Sequence, residues 1–204
     1  METRSGATQR KIPRIDLTDV LTALAQEIVL RCPSFSHCDL SKITLCLGSN
    51  RSGRGAIYGK LVPLRFRGGA ASLGYRGKTY TMPVVMRNGV EQRYIIYFYY
   101  PRFFDLSPLE KLRVLFHELY HISPDFNGDI RRMAPVKASH GGSRKGFDRN
   151  FQEELALFHA HISSTPYMKF LAMDAAALHR AFKKVTGTRM KTPRPVVTGV
   201  PQKV

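Results

Sequence analysis

Acidic residues are scarce in this chain of 204 residues: 15 aspartates and glutamates stand against 32 lysines and arginines, for a net charge of +17. None lies between Leu40 and Val90, and none follows Asp174. That imbalance excludes a neutral surface and creates a field that attracts polyanions, so nucleic acid is an expected partner through basic faces and tails. Cysteine is nearly absent. Cys32, Cys38 and Cys46 are odd in number and match no zinc-ribbon or C-x-x-C spacing, which excludes a disulfide framework and points to reduced thiols in a cytoplasmic protein. No run of eighteen apolar residues exists, so no membrane span is expected. The opening METRSGATQRKIPR lacks an apolar core, so no secretory signal is expected.

What is present is enough apolar material, 43 %, for one domain with a true core. Residues 1–14 are polar and basic and read as a disordered arm, and residues 186–204 as a disordered basic tail, leaving 15–185 as the domain. Asp16 opens a stretch with helical apolar spacing, which predicts a helix over 17–31 with Asp16 or Thr18 as its cap, ended by Pro33. KITLCLG, GAIYGKLVPLRFRG, KTYTMPVVMRNG and QRYIIYFYYP read as strands. Asn88-Gly89 marks a hairpin, and Tyr94 to Tyr100 is apolar or aromatic on both faces, as in a covered central strand. Pro63 and Pro83 push their strands towards edges or bulges. The glycine- and arginine-rich stretches SNRSGRG and RGGAASLGYRGK read as loops.

Ser107, Pro108 and Glu110 form a helix start with a capping box, and the helix runs to about Ile122, before Ser123-Pro124. A loop of roughly two dozen residues follows, long enough to suggest function. NFQEELALFHAHI and MDAAALHRAFKKV predict two further helices.

The helix opened by Ser107 carries VLFHELYHI. Positions four apart share a helix face, so His117 and His121 can reach one ion, while Glu118 lies about 100 degrees round the helix, placed to address a water on it. Neutral imidazoles suit Zn²⁺, and a catalytic zinc takes three protein ligands and leaves one position open. A histidine pair on a helix this apolar is expensive to bury without a partner. For the third ligand the best candidate is His140, nineteen residues beyond His121, with Gly141 and Gly142 permitting close backbone approach. Glu153, Glu154, Asp125 and Asp129 are the alternatives. With His140 as ligand, Glu153 or Glu154 could hold an imidazole from behind. His159 and His161 face different sides of their helix, and His37 and His179 stand alone.

HELYHI followed by HGGSRKGF resembles the small single-domain zincins, SprT-like proteases among them. PDFNGDIRRM between the two resembles the family of putative phage metallopeptidases. Phe147 stands further beyond His140 than its counterpart does in SprT-like chains. The resemblance implies His117, His121 and His140 as zinc ligands and Glu118 as general base in hydrolysis of a protein or peptide. Arg131, Arg132 and Tyr120 are candidates for stabilising the oxyanion. It also implies an α+β fold: a small zincin-like domain whose twisted, mostly antiparallel sheet packs on the N-terminal helix and the H-E-x-x-H helix. The alternative is a nucleic-acid-binding protein with an inactive or structural zincin fold.

Overall fold

The computed structural model describes residues 12–49, 57–133 and 143–199. The chain is α+β, a mixed set of helices and small sheets. Strand β1 (Ile12–Asp16) leads into helix α1 (Leu17–Arg31), whose N-terminus is capped by the Asp16 carboxylate accepting from the Thr18 and Asp19 N–H groups. Strands β2 (Ile43–Ser49), β3 (Gly59–Pro63), β4 (Ser72–Tyr75), β5 (Lys78–Thr81), β6 (Met86–Arg87), β7 (Val90–Glu91) and β8 (Tyr94–Tyr100) precede helix α2 (Pro108–Tyr120). Helices α3 (Arg144–Asp148), α4 (Gln152–Ile162), α5 (Pro166–Leu171) and α6 (Ala175–Ala181) follow, then β9 (Phe182–Thr186) and β10 (Val196–Gly199).

The central sheet has the order β2-β8-β3. As its uninterrupted apolar sequence predicts, β8 lies in the middle and is buried from Tyr94 to Phe98. The expectation of a mostly antiparallel sheet is corrected here: β3 runs antiparallel to β8, but β2 runs parallel to it over seven residues. Alternate side chains of the sheet enter two cores. Leu45, Leu47, Ile96 and Phe98 join the main core with α1 and α2, and Cys46, Val62, Ile95 and Tyr97 form a smaller one on the other face.

Asn88 and Gly89 adopt positive φ (51° and 76°) and close the β6–β7 hairpin, the turn that Asn-Gly favours. Arg76 and Gly77 do the same for β4 and β5 (48° and 69°), so the second stretch expected as a loop is a hairpin, and β10 adds to its β5 side. The first, from Asn50 on, lies outside the described residues. Thus the basic tail is not wholly irregular: Val196–Gly199 forms a strand, as does Ile12–Asp16, which pairs in parallel with β9. Both pairings supply backbone hydrogen-bond partners to segments whose polar composition conceals them. The helix expected over 173–185 ends at Ala181, where the chain turns extended to make β9. Among the described residues no helix is long and apolar enough to cross a membrane.

All three cysteines are free and buried. Burial raises the thiols of Cys32 and Cys38 to about 12 and that of Cys46 to about 11. Because these folded-state values exceed those of the unfolded chain, the stability they carry is intact below about pH 9 and is lost as pH rises towards 11–12. Lys111, buried and donating to the carbonyls of Leu171 and Met173 at 2.7 Å, is pushed by burial down to about 8 and acts oppositely between pH 8 and 10.5. The three thiols outweigh the one lysine. The free energy of urea unfolding is expected to fall by on the order of 3 kcal/mol between pH 8 and 10.5. A flat or rising curve would contradict this balance.

Candidate metal centre

Helix α2 presents the motif. Its capping box is formed: the Ser107 hydroxyl accepts from the Glu110 N–H at 3.4 Å, and the Glu110 carboxylate accepts from the Ser107 N–H at 3.2 Å. Leu112, Leu115, Phe116 and Leu119 are fully buried and anchor the helix in the main core. One turn apart on the remaining face, His117 and His121 direct their Nε2 atoms at one another, 3.1 Å apart. Two imidazole nitrogens on a tetrahedral zinc, each 2.0–2.1 Å from it, stand about 3.3 Å apart. The donor pair therefore fits such an ion with little movement.

The ring orientations are held from behind. Asp148 Oδ1 lies 2.6 Å from His117 Nδ1, so the Nδ1–H donates to the carboxylate and the Nε2 lone pair is turned forward. Phe147 stacks on His121 (centroids 4.6 Å apart, 29° between planes) and meets His117 and Tyr120 edge-on. These contacts come from α3, a five-residue helix capped by Ser143, whose hydroxyl accepts from the Gly146 N–H.

Glu118 is 6 % exposed and lies against β3. A Cβ on Gly59 would stand 2.8 Å from the Glu118 Cγ and Oε1 atoms and 2.9 Å from Val114. Only glycine lets the strand run this close to the carboxylate. A cleft of about 390 Å³ opens here, with His117, Glu118 and His121 on one side and apolar walls from Ile57, Leu61, Pro63 and Ile130.

Strand β3 is an edge of the sheet, with no strand among the described residues on its outer side. The Tyr99 N–H donates to the Tyr58 carbonyl and the Leu64 N–H to that of Arg93, so even-numbered residues of β3 bond inward to β8. By alternation, the backbone groups of Gly59, Leu61 and Pro63 face outward. Proline has no N–H, and just beyond it the Arg65 N–H is taken by the Gly128 carbonyl at 3.0 Å. The outward polar edge beside the cleft is therefore short: Gly59, Leu61 and the carbonyl of Pro63.

The other sequence candidates fall elsewhere. His140 lies outside the described residues, and among those described no group of three metal-binding side chains assembles. Glu154 accepts from the Ser34 N–H at 3.1 Å and lines a different cavity with Cys32 and His161. Glu153 and Asp125 are exposed. Asp129 accepts from the Gly68 and Ile130 N–H groups and from Arg132; hydrogen bonds hold its carboxyl below the usual range although burial opposes them. Arg131 donates to the Tyr120 carbonyl and lies 4.1 Å from that ring's centre, and Tyr120 packs on Phe35 and Phe151, so neither they nor Arg132 lines the cleft. Asp148 was missed in favour of Glu153 and Glu154. One signal could have found it: it is the only acid between Asp129 and Glu153.

The fold and this constellation define a class: a mixed α/β domain with H-E-x-x-H on a buried helix beside an open sheet edge. The model of the family described as putative phage metallopeptidase matches residues 17–146, from the first residue of α1 through the central sheet and α2 into α3, and the chain belongs to that family. Membership points to a metal-dependent peptide hydrolase. No curated protein and no solved structure matches the chain.

Proposed function

We propose that the chain is a zinc-dependent peptidase of zincin-like architecture, in which His117, His121 and His140 hold the metal and Glu118 is the general base. The observation that carries this reading is the 3.1 Å convergence of the His117 and His121 Nε2 atoms, with Asp148 fixing the tautomer of the first. Zinc bound there would lower the pKa of a water to about 7 and polarise the scissile carbonyl.

The chain's own groups do the rest. Glu118 takes the proton from the attacking water and passes it to the leaving amine. The outward N–H and C=O groups of Gly59 and Leu61 bind an extended peptide by strand addition, which lays the scissile bond across the cleft. The apolar walls accept an apolar side chain of the substrate and exclude water around Glu118. Beyond Pro63 the Arg65–Gly128 hydrogen bond closes the edge and limits how far the peptide pairs.

The test is metal-dependent cleavage of an unstructured protein such as casein. The purified chain should carry one zinc, lose cleavage on chelation and regain it with added Zn²⁺. Asp148→Ala should weaken zinc binding by about 10- to 100-fold. A chain that takes up no zinc, or whose cleavage survives chelation, ends this reading.

A further inference from the structure

The β10-β5-β4 sheet belongs to neither core. Pairing of Leu73 with Tyr80, Tyr75 with Lys78 and Val197 with Tyr80 puts these five side chains on one face. There Leu73, Tyr75 and Val197 remain 44 %, 54 % and 49 % exposed. The guanidinium of Arg76 lies 5.1 Å from the Tyr75 ring centre. A partly aromatic sheet face left open to water is unusual in a stable domain and marks a binding face.

A second observation lies on the segment that leads into this sheet. Arg189, Lys191 and Thr192 line a cavity of about 370 Å³ with Ser49, Tyr97 and Tyr99, and among the described residues no acidic side chain contributes to it. The Tyr97 side chain comes from the face of the central sheet turned away from α2, and the residue is 3 % exposed. Its hydroxyl makes no well-formed hydrogen bond among the described residues, and the polar group that interacts with it is the Thr192 side chain on the cavity wall. A buried phenol so weakly paired can still donate, and an anionic oxygen in this cavity would be a stronger acceptor for its proton than the Thr192 hydroxyl. Burial also holds the phenol above its ordinary pKa, so it stays protonated and able to donate. Thr192 and Val196 are four residues apart, so the cavity and the sheet lie within about 14 Å of chain. Arg194 stands between them, exposed.

We propose that this surface binds single-stranded nucleic acid, with a backbone phosphate in the cavity of Tyr97, Arg189 and Lys191 and bases stacked on the face carrying Tyr75. Charge selects a polyanion, since the segments 67–81 and 175–199 hold no acidic residue. The aromatic side chains select bases over lipid headgroups or acidic peptides, because bases have π faces to stack. None of these residues lines the H-E-x-x-H cleft, so the inference does not depend on the peptidase reading.

The test uses the full chain and a labelled 20-nucleotide oligo-dT, followed by fluorescence anisotropy from 50 to 300 mM salt. Arg189→Gln with Lys191→Gln should flatten the slope of log affinity against log salt by about 0.7, the value for one lost phosphate on a single strand. Tyr75→Ala should weaken binding at least about fivefold and leave that slope unchanged. Tyr97→Phe should weaken binding, whereas a hydroxyl that serves only its contact with Thr192 would change the melting temperature and not the affinity. Wild-type affinity and slope in both the Tyr75 variant and the double variant would overturn the proposal. So would equal binding of anionic vesicles or polyglutamate, which would mark an undiscriminating basic surface.

Discussion

Glu118→Gln is expected to slow peptide cleavage by about 10²- to 10⁴-fold while leaving one zinc per chain, because it removes proton transfer and little else. The two side chains have nearly the same shape, so the packing of α2 against β3 is kept. Glu118 is buried, and its Cγ and Oε1 atoms lie close to the backbone of Gly59. Glutamine can fill that space but cannot accept a proton from water at neutral pH. The metal pair is untouched, since His117 is oriented by Asp148 and both histidine rings by Phe147. The loss should appear in kcat and in kcat/KM alike, as for an interaction made only in the transition state. Elemental analysis and a casein assay on the same sample decide it: full zinc with undiminished cleavage would remove Glu118 from the role of base.

A second large effect is expected from Gly59→Val. The new Cβ alone would lie 2.8 Å from Glu118 and 2.9 Å from Val114, and the branched methyl groups add to the crowding. Two responses are open. Glu118 can swing aside, or β3 can lift from α2. The first displaces the base; the second moves the strand edge that receives substrate. Both lower activity, by at least about 10²-fold if the base is displaced by an ångström. The overpacking should also cost about 1–3 kcal/mol of stability. Unlike Glu118→Gln, this change should therefore lower the melting temperature and raise KM as well as lower kcat. A Gly59→Val protein with wild-type kinetics and melting temperature would show that the strand does not press on the carboxylate.

These two residues illustrate different kinds of legibility. Glu118 was recognisable from its place in H-E-x-x-H, because a helix sets which face each position takes within a single turn. Gly59 could not be distinguished from the chain's other glycines, since its role depends on a helix that begins almost fifty residues later. The same division runs through the fold. Helix α1 occupies the predicted residues, and the caps at Asp16 and Ser107 formed as read, because capping acts over three or four residues. The Asn88-Gly89 hairpin is equally local.

By itself, then, the amino-acid order determined the two main helices, the buried central strand, the hairpin turn and the side-by-side placement of His117 and His121. Each follows from φ/ψ preference, side-chain spacing or a cap bonded to its own neighbours. Only the tertiary structure decided that β2 runs parallel to β8, that Ile12 pairs with Phe182 and Val197 with Tyr80, and that Asp148 stands behind His117. Those contacts join residues from 31 to 170 positions apart. At such separations a strand or carboxylate carries no local mark of its partner, and the packed core alone brings the two together.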